Sequence, residues 1–419
     1  MPRLVRHTLL IVLLLAAQAA LAQQPHVTAR HGRSAAGTIG DLPFVVLRGT
    51  LEERGQAYGA LCGKQTVQTM QVLAAVVQQR MPNGWDQLVA ISNKAFVFPP
   101  EQERQMAAFI EGFRKALPPA ERIIPAAGRE LSVGDLKAFA CFPDLAGTGR
   151  VPLGGCSSFS AWGALTTDGQ IIAGRNADYT TFPGQFVFMV IAQEPAEEGV
   201  QKTIEVSGPG VFGASTAINE QGVVLLLHDE RGLPPRLQGG WVPRVAVLRQ
   251  AIEKARAAHA IDDVAAVLRG APLTMGGNIH VLAPLLPGGP LPAIMEWDGN
   301  AQSNGLTIRT ASADLPSVFC TNHYVERRVA GGSGSSADRF ARLERATKQA
   351  AVRGEKIDVK AAQALMDQVA VRGGSTTYMS VIVRPHLREL TVAVSPGPGR
   401  SATDGHWVAV RWEELFGTK

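Results

Sequence analysis

Cys156 follows two glycines, Gly154 and Gly155, and opens the run Cys156-Ser157-Ser158-Phe159. Gly174-Arg175-Asn176-Ala177-Asp178-Tyr179 then reads as the return strand of a hairpin, bringing an arginine and an aspartate back beside the thiol. The pattern is one for nucleophilic catalysis. If the Gly155–Cys156 bond is cut, Cys156 carries a free α-amine, which titrates near ~8 when unperturbed and can accept the thiol proton. No histidine is then required, and none lies near Cys156 in sequence. The charge of Arg175 favours the thiolate, and Asp178 can hold the liberated ammonium through hydrogen bonds. Because Cys156 lies in mid-chain, the same reading expects the chain to cut itself. Arg175 and Asp178 are three positions apart while strand side chains alternate, so a bend or bulge is expected to bring both to the nucleophile.

The elements that must position these groups are partly legible. Residues 157–166 and 171–176 flank an Asp168-Gly169 turn signal. Ahead of Cys156, residues 56–80 and 102–117 carry apolar side chains at helical spacing, the second run stopping at Pro118-Pro119. Residues 132–135 open another short helix, 143–155 read as an exposed Gly/Pro-rich linker, and 23–43 as a loose polar leader before a strand at 44–47. Beyond the hairpin, strands at 186–192, 203–206, 214–218 and 223–228 precede helices at 245–258 and 262–268. Further strands at 279–282, 293–297 and 317–321 precede helices at 337–352 and 360–369, and strands at 378–383 and 389–394 close the chain. Ser335-Ser336 is expected to cap the helix that follows it. Strand runs followed by helix pairs, twice over, predict an α+β chain of two antiparallel sheets with helices outside them.

The chain begins with Arg3 and Arg6, an apolar run from Leu9 to Ala17 and Ala20-Leu21-Ala22, which read together as a secretory signal over residues 1–22. The formal charge of +5 falls by two, to +3, once Arg3 and Arg6 leave. A balance that small, without a basic stripe, argues against nucleic-acid partners, and no segment is apolar for long enough to insert stably in a membrane. A secreted or periplasmic location permits disulfides. Of Cys62, Cys141, Cys156 and Cys320, a Cys62–Cys141 bridge is expected with Cys156 free, while Cys320 is open between a half-cystine and a buried apolar residue. No cysteine or histidine spacing supports a metal site, and no cofactor is expected.

Arg48-Gly49-Thr50, Glu53-Arg54-Gly55 with Gly59, the Cys156 and Arg175–Asp178 hairpin, Asn219-Glu220-Gln221-Gly222, Thr321-Asn322-His323-Tyr324, Ser335-Ser336 with Arg339, and residues 376–383 occur in that order. In this order they resemble the penicillin acyltransferase-type branch of the Ntn-hydrolase superfamily, the autoproteolytic acyltransferases and hydrolases. Choloylglycine hydrolases and acid ceramidase are more distant relatives of that branch. The resemblance implies a four-layer αββα sandwich with a helical N-terminal segment. It also implies self-cleavage into an α-chain (23–155) and a β-chain carrying the catalytic domain (156–419), which stay together as partners. Cys156 would be the nucleophile, Arg175 and Asp178 its supports, and Asn278 a donor near the oxyanion. Where members of the branch offer an asparagine after the Asn-Glu-x-Gly strand, this chain has His228-Asp229, so His228 or a backbone amide would take that place. His228, Asn176 and Asn322 are the candidates for touching substrate.

The leading expectation is an exported amidohydrolase that takes an acyl group from a small N-acyl amide to water through a Cys156 thioester. Outside the cytoplasm acyl-coenzyme A is scarce, which disfavours acyl transfer from that donor. An N-acylated amino acid, a lactone, a β-lactam or a bile-acid conjugate fits better, and an ester or phospholipid stays open. Trp162, Phe182, Phe188 and Trp241 are candidates for an apolar acyl pocket. Two alternatives compete: an uncut enzyme using His228, His280 or His323 as base, and a secreted binding protein on the same scaffold.

Overall fold

The computed structural model describes residues 24–81, 83–145, 154–180, 186–230, 239–298, 305–327 and 334–417. The signal expected over 1–22 and the pocket candidate Phe182 lie outside the described residues. The chain opens with strands β1 (Pro25–His31), β2 (Ser34–Ile39) and β3 (Leu42–Gly49), then helices α1 (Leu51–Arg80), α2 (Gly84–Ala95) and α3 (Pro100–Ala116). A short ribbon of β4 (Ile123–Ile124) and β5 (Arg129–Glu130) leads to α4 (Val133–Leu145). Next come β6 (Gly155–Ala161), β7 (Ile172–Thr180), β8 (Met189–Pro195), β9 (Thr203–Ser207), β10 (Thr216–Asn219) and β11 (Val224–Asp229). Helices α5 (Arg244–Ile252) and α6 (Ala260–Arg269) precede β12 (Gly277–Leu282), β13 (Ala293–Trp297), β14 (Leu306–Arg309) and β15 (Ser317–Cys320). Helices α7 (Ser335–Arg353) and α8 (Val359–Gln368), strands β16 (Ser375–Arg384), β17 (Glu389–Val394) and β18 (Trp407–Arg411), and α9 (Trp412–Phe416) complete the order.

Two sheets result. One has ten strands in the order β1-β2-β3-β8-β9-β10-β11-β12-β13-β14, and the other six in the order β15-β6-β7-β16-β17-β18. Pairing is antiparallel except between β3 and β8. The sheets meet face to face: His280 of β12 bonds Ser158 and Ser160 of β6, and Arg175 of β7 bonds Leu227 of β11. Helices α1, α5 and α6 cover the outer face of the large sheet, and α7 and α8 that of the small one. The chain is therefore an α+β protein in four αββα layers. An apolar cluster that includes Phe159, Leu343, Leu365, Met366 and Ile382 joins α7 and α8 to the small sheet.

The segment ahead of Cys156 is not only helical. Residues 25–31 and 34–39 form a hairpin on the edge of the large sheet rather than a loose leader, and β3 ties the segment to β8 along six residue pairs. β1 is almost wholly exposed, so it carries no apolar alternation to betray it. Helix α1 starts at Thr50, whose side chain accepts from the Glu53 amide while Glu53 accepts from the Thr50 amide, a reciprocal cap. It crosses α3 at very close range: a Cβ on Gly59 would run into the Phe109 carbonyl oxygen, and one on Gly112 into that of Gln56. Gly59→Ala is accordingly expected to destabilise the fold by about 1–3 kcal/mol, the range for overpacking a tight contact, read from urea unfolding.

The described cysteines are all free thiols. No Cys62–Cys141 bridge forms: both are buried core residues, Cys62 on α1 and Cys141 on α4. Cys320 is likewise a buried thiol. Ser336 does not cap α7, whose N-cap is Gly334; its hydroxyl accepts instead from the Asn322 amide at 2.9 Å.

Candidate active site

In the β6–β7 ladder Gly155 faces Asp178, Cys156 faces Ala177, Ser157 faces Asn176 and Ser158 faces Arg175. Paired residues project to the same face of a sheet. Ser158 and Arg175 therefore share the face turned to the large sheet, while Ser157, Asn176 and Asp178 share the face turned to α7 and α8. A bulge does occur, in the neighbouring strand β16 between Thr377 and Met379. It does not bring Arg175 and Asp178 to one side; they reach Cys156 from opposite faces.

On the inter-sheet side, Arg175 Nη2 lies 3.4 Å from Cys156 Sγ. The guanidinium is fixed by Leu227 O at 2.5 Å and by Thr216 Oγ1 at 2.5 Å. In the uncut chain burial pushes the Cys156 thiol up to about 11, with Arg175 opposing and Asp229 and Asp178 adding to the rise. The thiol is thus protonated near neutrality until a base is supplied.

On the opposite side, Asp178 Oδ1 accepts from Thr377 Oγ1 at 2.6 Å, and Arg339 lies 3.7 Å from Oδ2 without a hydrogen bond. Oδ2 is buried with no hydrogen-bond partner. It lies beside Gly155, where a Cβ would be 3.3 Å away, so the glycine leaves the carboxylate free access to the bond ahead of Cys156. Burial pushes Asp178 up to about 6, against Arg339 and Thr377. Its folded value exceeds the unfolded one, so the ionised form costs stability. That cost is absent below pH about 4, grows between about 4 and 6, and is complete above, amounting to about 3 kcal/mol at most. In the uncut Cys156→Ala chain, Asp178→Asn is expected to raise the melting temperature at pH 7.5 and to leave it unchanged at pH 4.

Asn322 and Arg339 close the site from the loop after β15 and the start of α7. Asn322 Oδ1 accepts from the Cys156 amide at 2.7 Å and from Arg339 Nη2 at 2.9 Å, while its Nδ2 donates to Asp229 O at 2.7 Å. Arg339 Nη1 also donates to the Cys156 carbonyl and to Ser157 Oγ at 2.6 Å. The residues foreseen for the oxyanion and substrate fall differently. Asn278 spends both amide hydrogens on the carbonyls of Thr321 and His323, at 3.0 and 2.9 Å, so it braces the Asn322 loop and has no donor left for an oxyanion. Among the described residues nothing but the Asp229 carbonyl accepts from Asn322 Nδ2, which leaves its second hydrogen uncommitted there. Asn176 is turned to α8, donating to Met366 O at 2.8 Å and accepting from Ser380, away from any substrate.

The histidines are not placed as bases. His228 holds its Nδ1 against the carbonyls of Leu226 and Asn278, and burial, with Arg175 and His280 adding, keeps it neutral. His280 is fixed between Ser158 and Ser160 and driven down to about 3, chiefly by burial. His323 Nδ1 meets Ser336 Oγ. Beside Cys156 is a cavity of about 70 Å³ with an apolar wall of Leu73, Phe139, Phe142, Phe186, Phe188 and Val211, and polar groups Cys156, Arg175 and Asp229. Phe188 is where the acyl-pocket reading put it. Trp162 lines a separate surface groove instead, and Trp241 packs on Phe96. Phe139 and Phe142 come from α4, so both sides of the Gly155–Cys156 bond build the cavity. Among the described residues no cluster of three or more His, Cys, Asp or Glu could hold a metal ion, and no helix is long and apolar enough to cross a membrane.

No family model and no curated protein matches the chain. Solved structures similar to it include the N-acylethanolamine-hydrolyzing acid amidase ortholog of Caenorhabditis elegans, at 17% identity and a TM-score of 0.37, over 55% of this chain and 94% of that one. A mutant of the conjugated bile acid hydrolase of Clostridium perfringens aligns at 10% identity and a TM-score of 0.42, over 63% of this chain and 95% of that one. Penicillin V acylase from Agrobacterium tumefaciens aligns at 13% identity and a TM-score of 0.41, over 58% and 84%.

Proposed function

We propose that this chain is an exported cysteine hydrolase of the Ntn type, which cuts itself before Cys156 and then hydrolyses an N-acyl amide through a thioester. The observation that carries the reading is a buried thiol touched by a fixed arginine, with a carboxylate oxygen that accepts no hydrogen bond beside the peptide bond ahead of it. In processing, Cys156 Sγ attacks the Gly155 carbonyl carbon, and the Cys156 nitrogen takes the proton as the C–N bond breaks. Water then hydrolyses the thioester, leaving a Gly155 carboxylate and a free Cys156 amine.

In turnover the amine takes the thiol proton, the thiolate adds to the substrate carbonyl, and the ammonium returns the proton to the departing amine. Water, deprotonated by the same amine, releases the acid. Arg175 stabilises the thiolate. Asp178 and Asn322 Oδ1 hold the amine, Arg339 holds Asn322, and the spare hydrogen of Asn322 Nδ2 is the side-chain donor for the oxyanion. Among the described residues no histidine hydrogen-bonds Cys156 Sγ, the contact that the uncut histidine-base mechanism requires, and Arg175 occupies that position. The apolar cavity wall suits an acyl group. The test is acyl-enzyme trapping: a quenched single turnover should add the acyl mass to the chain that begins at Cys156, and hydroxylamine should remove it. Turnover with no such adduct would contradict the mechanism.

A further inference from the structure

Three arginines and three aspartates surround Cys156, unevenly shared. Arg339 stands 3.7 Å from Asp178, and Arg175 faces the sulfur. Arg244, fully buried on α5, is shared by two acids: its Nε donates to Asp144 Oδ1 at 2.9 Å and its Nη2 to Asp229 Oδ1 at 2.8 Å. Its third branch donates to Gly276 O at 2.6 Å. One guanidinium thus serves two carboxylates, so this trio holds one more negative than positive charge, while Arg175 supplies the balancing cation on the same cavity wall. Asp144 is sealed in the core, whereas Asp229 reaches the cavity wall with Cys156. No described residue donates to its Oδ2. A single side-chain amide, Asn322, spans from the Cys156 nitrogen to the Asp229 main-chain carbonyl, which fixes the Asp229 backbone beside Cys156, and the residue lines the cavity with the thiol.

We propose that Asp229, aimed by Arg244, is a specificity-determining residue: the site selects N-acyl amides whose amine half carries a positive charge near the scissile bond, such as mono-acylated diamines. An amine half bearing a carboxylate or sulfonate is excluded. This rests on the thioester reading of Cys156. A carboxylate in a low-dielectric wall attracts a substrate ammonium and repels an anion far more strongly than it would in water. The apolar wall then receives the acyl chain.

The test uses three amides with one acyl group, lauroyl, on ethylenediamine, ethanolamine and glycine, assayed with the mature two-chain enzyme. The expected order of kcat/KM is ethylenediamine over ethanolamine over glycine, with at least about a 30-fold span between first and last. Asp229→Asn, which keeps the main-chain carbonyl for Asn322, should shrink that span below about 5-fold. A preference for the glycine amide, or an unchanged span in Asp229→Asn, would overturn the proposal. A second measurement needs neither turnover nor a variant that folds. The thiolate of wild-type Cys156 attacks the sulfur of a methanethiosulfonate, forming a mixed disulfide and releasing methanesulfinate. Relative to free cysteine, the aminoethyl reagent should outpace the sulfonatoethyl reagent at least about 10-fold, and an equal or inverted ratio would again overturn the charge assignment. If the thioester reading alone is wrong, no amide acylates Cys156 while the reagent ratio still favours the cation.

Discussion

Cys156→Ala is expected to abolish turnover and Cys156→Ser to lower kcat/KM by at least about 10⁴-fold, the scale on which loss of a nucleophile acts when its partners work as a unit. Arg175 is held by Leu227 O and Thr216 to face sulfur, and the thiol lies in the cavity wall beside it. A serine hydroxyl keeps the amine as base but gains little from Arg175, because an alkoxide is much harder to form than a thiolate. Labelling separates chemistry from folding. In the uncut chain the thiol, pushed up to about 11 by burial, should react slowly with iodoacetamide at pH 7.5. In the cut chain the neighbouring amine should speed that reaction by about tenfold or more. Steady-state kinetics on the acyl amides checks the first effect, and timed labelling followed by mass analysis checks the second.

Arg339→Met is expected to lower kcat/KM by ~10²–10³, comparable to loss of a preorganised donor at a developing charge. Arg339 has no assigned contact with substrate. It acts by position, holding Asn322 Oδ1, the Cys156 carbonyl and Ser157 at once while standing near Asp178. Its removal takes away the cation that opposes the burial of Asp178, so the Asp178 carboxyl should hold its proton to higher pH. Activity that needs ionised Asp178 should then fail at a higher pH than in wild type. A drop in rate with an unmoved acid limb would show a merely structural loss. Arg339→Lys should restore the limb better than the rate, since an ammonium supplies the charge but not the fork that reaches three acceptors.

How far the site was legible in sequence follows from which contacts are local. The hairpin of β6 and β7 announced itself through alternation, an Asp-Gly turn and the glycines before Cys156, and Arg175 stands against the sulfur that it was read beside. Asp178 lies next to the bond ahead of Cys156, but its face was misjudged: strand alternation alone sends it to the side opposite Arg175, and the ladder keeps it there. Asn278 came to the oxyanion only through the resemblance, and no local pattern shows that it lies in β12 with its amide spent on the loop after β15. Asn322 and Arg339 reach Cys156 from far along the chain, and nothing local marks them as a clamp. In the fold, α1 and α3 were plain from spacing, yet the start of α1 was hidden by Gly55 and Gly59, whose purpose is close contact with α3. The exposed β1 edge had no apolar pattern to read.

The mechanism requires Cys156 to become the first residue of a chain. Intact-mass analysis and N-terminal sequencing of purified wild-type protein, beside Cys156→Ala, test it directly. Two wild-type fragments that co-purify, one beginning Cys-Ser-Ser-Phe, and a single uncut Cys156→Ala chain are expected. A wild-type chain that stays whole yet hydrolyses an acyl amide would contradict the mechanism.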